Sequence, residues 1–66
     1  MFVEVNAYSE SGTHVRLTLN LNYIVSYLKA DRLVTLSDGL GSNIRLTPES
    51  FDKVIRILKE KGMIIE

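Results

Sequence analysis

The feature that most constrains this chain is a change of period at Thr47-Pro48. Before it, apolar and polar residues alternate in short runs, the two-residue repeat of strands with one buried face. After it, the apolar residues recur at helical spacing. Thr47 supplies an N-cap, Pro48 the first helical position and Glu49 an acid in the first turn. Phe51, Val54, Ile55 and Leu58 then form one apolar stripe on a helix of about four turns. Glu49–Lys53, Asp52–Arg56 and Arg56–Glu60 are opposite charges four residues apart, which favours that helix. Lys59 and Lys61 suit its C-terminal dipole, and Gly62 is the expected residue just past its end. Met63-Ile64-Ile65 follows as an apolar tail.

The run before Thr47 divides into strands. Residues 2–8 alternate, with Val3, Val5 and Ala7 on one face and Phe2, Glu4, Asn6 and Tyr8 on the other. Ser9-Glu10-Ser11-Gly12 is a turn, with Gly12 suited to positive φ. From Thr13 the alternation resumes, Val15, Leu17 and Leu19 inward and His14, Arg16, Thr18 and Asn20 outward. Asn20-Leu21-Asn22 breaks the run, because asparagine side chains compete for backbone hydrogen bonds. Tyr23–Leu28, rich in β-branched and aromatic residues, predicts a third strand. Lys29-Ala30-Asp31-Arg32 is a polar connector, and Leu33–Ser37 a fourth strand with Val34 and Leu36 inward. Asp38-Gly39 signals a turn that Leu40-Gly41-Ser42 lengthens. Asn43–Leu46 is a fifth strand with Ile44 and Leu46 inward.

The predicted fold class is therefore α+β: a curved antiparallel sheet of four to five strands, ordered β-β-β-β-β-α, covered by one C-terminal helix. Short connections predict that sequential strands are neighbours. Val3, Val15, Leu17, Leu19, Ile24, Leu28 and Ile44 join the stripe in the expected core, whereas Leu21, Tyr23, Tyr27 and Leu33 fall outside it. Residues 1–66 constitute a single domain with no repeat or linker.

Its size sets the next constraint. A chain of 66 residues buries only about 60% of the surface its unfolded form exposes, so a staple or a partner subunit is expected. Disulfides, thiol catalysis and cysteine zinc sites are excluded by the absence of cysteine. Basic and acidic residues number eight each, which gives neither the basic field of a duplex-DNA binder nor an acidic DNA mimic. No apolar run approaches the roughly 20 residues of a membrane span. The alternating N-terminus does not resemble a signal peptide, so a cytoplasmic location is expected and no membrane partner.

Catalytic chemistry has little to work with. His14 is the one histidine, and no spacing supplies it with a nucleophile and an orienting acid. The six serines fall mostly in turns, where hydroxyls serve the backbone. Asp31 and Asp38 lie in adjacent connections without forming a metal-ligand set. Gly39-Leu40-Gly41-Ser42 leads into a strand, whereas a phosphate loop leads into a helix N-terminus. The chain is expected not to be an enzyme and to need no cofactor.

Two binding readings remain. His14, Arg16 and Arg45, with Tyr27 and Tyr8 as stacking groups, form a candidate nucleic-acid face, because single strands are held by sheets that mix basic and aromatic residues. Phe2, Tyr8, Met63, Ile64 and Ile65 form a candidate oligomer interface, because apolar residues left outside a core mark contact surfaces. The leading expectation is a non-enzymatic protein-interaction or regulatory module that forms a homodimer and binds an unidentified protein. The alternative is a single-stranded nucleic-acid binder that uses the outer sheet face.

Several pieces occur together in order and spacing over nearly the whole chain: Val3-Glu4-Val5, Gly12, Leu19-Asn20, Ile24, Thr35-Leu36-Ser37-Asp38-Gly39 and Glu49-Ser50-Phe51-Asp52-Lys53-Val54-Ile55. In this the chain resembles the small FlbD-type proteins of bacterial flagellar operons, and similar layouts occur in phage proteins. The resemblance implies a bacterial or phage origin, no catalytic residues, and a small regulatory or assembly role. The chain departs from that pattern in its longer Leu40-Gly41-Ser42 loop and its apolar tail. Ile44–Leu58 also resembles the single-stranded-DNA-binding coactivators of the PC-four type, though without their basic sheet and Lys-rich N-terminus.

Overall fold

The computed structural model describes residues 1–37 and 42–64. The turn expected at Asp38-Gly39, its extension through Gly41, and Ile65 of the tail lie outside the described residues. The architecture is the expected α+β one: five antiparallel strands in one open sheet, followed by a C-terminal helix.

Strand β1 (Phe2–Tyr8) and strand β2 (His14–Asn20) form a hairpin. Their register pairs Val3 with Leu19, Val5 with Leu17 and Ala7 with Val15, so the apolar sets meet on one face. Gly12, at φ 84°, lets the intervening turn close, with its N–H donating to the Ser9 carbonyl. Strands β3 (Ile24–Leu28), β4 (Leu33–Leu36) and β5 (Asn43–Leu46) form an antiparallel meander.

The order across the sheet is β2-β1-β5-β4-β3, which corrects the expectation that all sequential strands are neighbours. β2 and β3 are the two edges, and β1 pairs with β5 through Ala7–Leu46 and Tyr8–Arg45. The reason lies at Asn20–Tyr23. Asn20 Oδ1 accepts the N–H of Asn22 at 3.0 Å and opens a single 3-10 turn, Leu21–Tyr23, in place of a hairpin. Asn20 to Ile24 can span at most about 14 Å of chain. Opposite edges of a flat five-stranded sheet are about 19 Å apart. The sheet must therefore curl until its two edges approach each other at this link, and the curl encloses the core.

Leu21, expected outside the core, is fully buried in that link, where its N–H donates to the Met1 carbonyl at 2.9 Å. It joins Val5, Ala7, Leu19, Val34, Leu46, Phe51, Val54 and Leu58 as the buried apolar set. Val15 and Leu28 were expected inside but are exposed: each lies on an edge strand, with a neighbouring strand on one side only.

Helix α1 (Pro48–Glu60) starts and stops where its signals predict. Thr47 Oγ1 accepts the Ser50 N–H, and Pro48 opens the first turn. At the far end Gly62, at φ 71°, donates to the Lys59 carbonyl while the Met63 N–H reaches Leu58, closing the last turn. Phe51, Val54 and Leu58 are buried and Ile55 is half-buried.

The helix also completes the sheet. β5 leaves β1 after Leu46, and the backbone groups it would have paired pass to the helix. The Thr47 N–H donates to the Asn6 carbonyl at 3.0 Å, and the Asn6 N–H donates to Ser50 Oγ at 2.8 Å. Further along, Lys53 Nζ donates to the Glu4 carbonyl at 3.2 Å, in place of the contact with Glu49 that the spacing suggested.

Candidate functional site

The pairing places one row of side chains across all five strands on the face turned away from the helix. His14 stands opposite Tyr8, Tyr8 opposite Arg45, Arg45 opposite Leu33, and Leu33 opposite Leu28. The Tyr8 and His14 rings meet edge-to-face, with centroids 4.7 Å apart at 85°. The structure thus brings together Tyr8, His14 and Arg45.

The other two members of the candidate nucleic-acid face do not join them. Arg16 is turned to Glu4, with Nη2 2.8 Å and Nε 3.0 Å from the same carboxylate oxygen. Tyr27 lies opposite Val34 on the helix side, where its ring packs on Phe51 at 6.0 Å.

Beside the row, a cleft of about 470 Å³ opens between the β1–β2 turn, β5 and the start of β4, with Tyr8, Ser9, Arg32, Asn43 and Arg45 in its walls. Arg32 is the residue that sequence reasoning passed over as part of a polar connector. It closes a short 3-10 turn, Lys29–Asp31, in the left-handed conformation at φ 54° and ψ 40°. Its N–H donates to the Lys29 carbonyl and its own carbonyl accepts the Leu46 N–H at 2.9 Å. Its side-chain Nε is buried and has no hydrogen-bond partner. No local signal in Lys29-Ala30-Asp31-Arg32 announces this.

The candidate oligomer interface is divided. Phe2 is 69% exposed at one end of β1, and Tyr8 is half-buried at the other. Met63 and Ile64 lie beside β3, where a groove of about 330 Å³ is formed with Ile24, Val25, Tyr27 and Leu58. β3 is an edge strand, and Val25 and Leu28 within it are exposed, as is Tyr23 just before it. Val25 sits at a register shift opposite β4. The alternation and composition of this segment signal a strand but not the absence of a neighbour on one side.

Among the described residues, no group of three His, Asp or Glu side chains is placed to hold a metal ion. No described helix is long and apolar enough to cross a membrane. Comparison with protein-family models, with curated proteins and with solved structures finds no match.

Proposed function

We propose that this chain is a non-enzymatic protein-interaction module that pairs with a second copy of itself along β3. The observation that carries this reading is the character of that edge. Ile24-Val25-Ser26-Tyr27-Leu28 contains no charge and no proline, and Val25 and Leu28 within it are exposed. Sheet edges that remain unpaired are usually blunted by charges or proline. The opposite edge is guarded in this way, since β2 carries His14 and Arg16, the latter paired with Glu4 of β1. A twofold axis beside β3 would extend each sheet into the other with the same residues on both sides. A domain this small gains the reinforcement its size calls for. The regulatory or assembly role implied by the FlbD-type resemblance fits a module built to pair.

Sedimentation equilibrium at micromolar concentration tests the reading. The expected mass is twice the 7.5 kDa of one chain. Val25→Lys on the β3 edge should return the monomer, while Val15→Lys on the β2 edge should leave the dimer intact. A mass that stays at that of one chain overturns the proposal.

A second reading, single-stranded nucleic-acid binding on the outer face, is favoured by the contiguity of His14, Tyr8 and Arg45. Fluorescence anisotropy with labelled oligonucleotides tests it, because phosphate contacts weaken steeply as salt rises. No binding at low salt removes this reading.

A further inference from the structure

We propose that the outer-face cleft is a binding site for a free α-amino acid with an apolar side chain, held by its ammonium group at Glu10 and by its carboxylate at Arg45. None of the residues in the cleft walls belongs to β3, so this site is separate from the proposed pairing edge.

Opposite charges that share the cleft without meeting carry the inference. Glu10 and Arg45 both line it. No ion pair joins them among the described residues, where the salt bridge is Arg16–Glu4. A carboxylate and a guanidinium held apart in one concavity suit a ligand that bears both charges. A dianion is repelled by Glu10 and a simple cation by Arg45, whereas a zwitterion meets an opposite charge at each end. Each contact is modest in an open cleft, so a ligand that makes both gains over one that makes either alone. Arg32 also lines the cleft, but its buried Nε lies out of a ligand's reach and is no part of the contact set.

The walls set the rest of the ligand. Thr35 Oγ1 donates to Asn43 Oδ1 at 2.7 Å. That bond engages the oxygen of the Asn43 amide and leaves its NH2 group as the donor. Asn43 lies two residues before Arg45 on β5, on the same face, so this donor and the guanidinium serve one ligand carboxylate together. Tyr8 and Leu33 are half-buried and flank Arg45 in the register, Tyr8 on β1 and Leu33 on β4. They form an apolar wall next to the head group, which suits a bulky apolar side chain. The cleft, of about 470 Å³, falls within the size range of small-molecule sites.

The test is an NMR titration of isotope-labelled protein with L-leucine and with its two half-analogues at matched ionic strength. Isocaproate lacks the ammonium group, and isoamylamine lacks the carboxylate. The expected result with leucine is a saturable shift of the Glu10 and Asn43 amides and of the Arg45 Nε–H signal. Each analogue should bind about threefold or more weakly, the worth of one exposed charge pair. Glu10→Gln should weaken leucine by a similar factor while leaving isocaproate unweakened. Arg45→Gln should weaken leucine and isocaproate while leaving isoamylamine unweakened. Both substitutions alter exposed side chains, and an otherwise unchanged amide spectrum shows that the variants are folded. Shifts that never saturate, an analogue that binds as tightly as leucine, or wild-type leucine affinity in folded Glu10→Gln overturns the proposal. A short single-stranded oligonucleotide that binds these residues more tightly than leucine also overturns it, by assigning the cleft to a nucleic-acid backbone.

Discussion

Ser50 Oγ accepts the backbone N–H of Asn6 at 2.8 Å across 44 residues of chain. The bond lies where the β1–β5 ladder ends and the helix begins, so one hydroxyl continues a sheet that has lost its strand. Ser50 is itself buried whereas Asn6 is exposed, so the bond is part-buried. Ser50→Ala should cost about 0.5–1.5 kcal/mol, the net worth of one such hydrogen bond. Urea unfolding measures the loss, and faster amide exchange at Asn6 assigns it. A wild-type midpoint with unchanged exchange would show that the N–H has found another partner.

Phe51→Ala should cost about 3–5 kcal/mol, comparable to the whole stability expected of so small a domain. Phe51 is 3% exposed and also supports the Tyr27 ring. Circular-dichroism melts report the loss of stability, and tyrosine fluorescence reports the release of Tyr27. A cooperative melt near that of the wild type would mean that Phe51 is not in the core.

Leu21 and Leu28 should respond in opposite ways. Leu21→Ala removes a side chain with no exposure and should cost about 2–5 kcal/mol. Leu28→Ala acts on a residue 51% exposed and should cost much less. Parallel chemical denaturation of the two variants checks the contrast, and equal losses would contradict the placement of Leu21.

That contrast shows what the sequence could reveal. Alternation identifies the face a residue occupies within its strand, and so β1, β2, β5 and the helical stripe were legible from their own residues. It does not identify a strand's neighbours. Leu21 stands between two asparagines in a segment that reads only as a break, and its burial comes from the edge-to-edge link it occupies. Leu28 has the right side chain for a core but lies on an edge strand. The candidate nucleic-acid face was legible in part for the same reason: Tyr8, His14 and Arg45 align through register, whereas Tyr27 follows β3 to the helix side. Arg32 had no local signature, because nothing in Lys29-Ala30-Asp31-Arg32 marks one side-chain nitrogen for burial.

Gly62→Ala should cost about 1–2 kcal/mol through backbone conformation alone. A Cβ at that position would meet nothing within 4 Å, but φ is 71°. Gly62→Asn should lose less, since asparagine tolerates the left-handed region. Thermal melts of the two variants distinguish conformational cost from a steric clash.

The short link at Leu21 also bears on how the chain folds. On one side of it lies the β1–β2 hairpin, and on the other the β3–β4–β5 meander, each built from contacts between segments close in sequence. The β1–β5 seam is the exception: Ala7 and Leu46 come from distant parts of the chain and meet through only two register pairs. Closing that long loop must precede the reward from its contacts, which places the slow step of folding at the meeting of two preassembled halves. Leu21, buried and tethered to the Met1 carbonyl, stands in the short link between those halves.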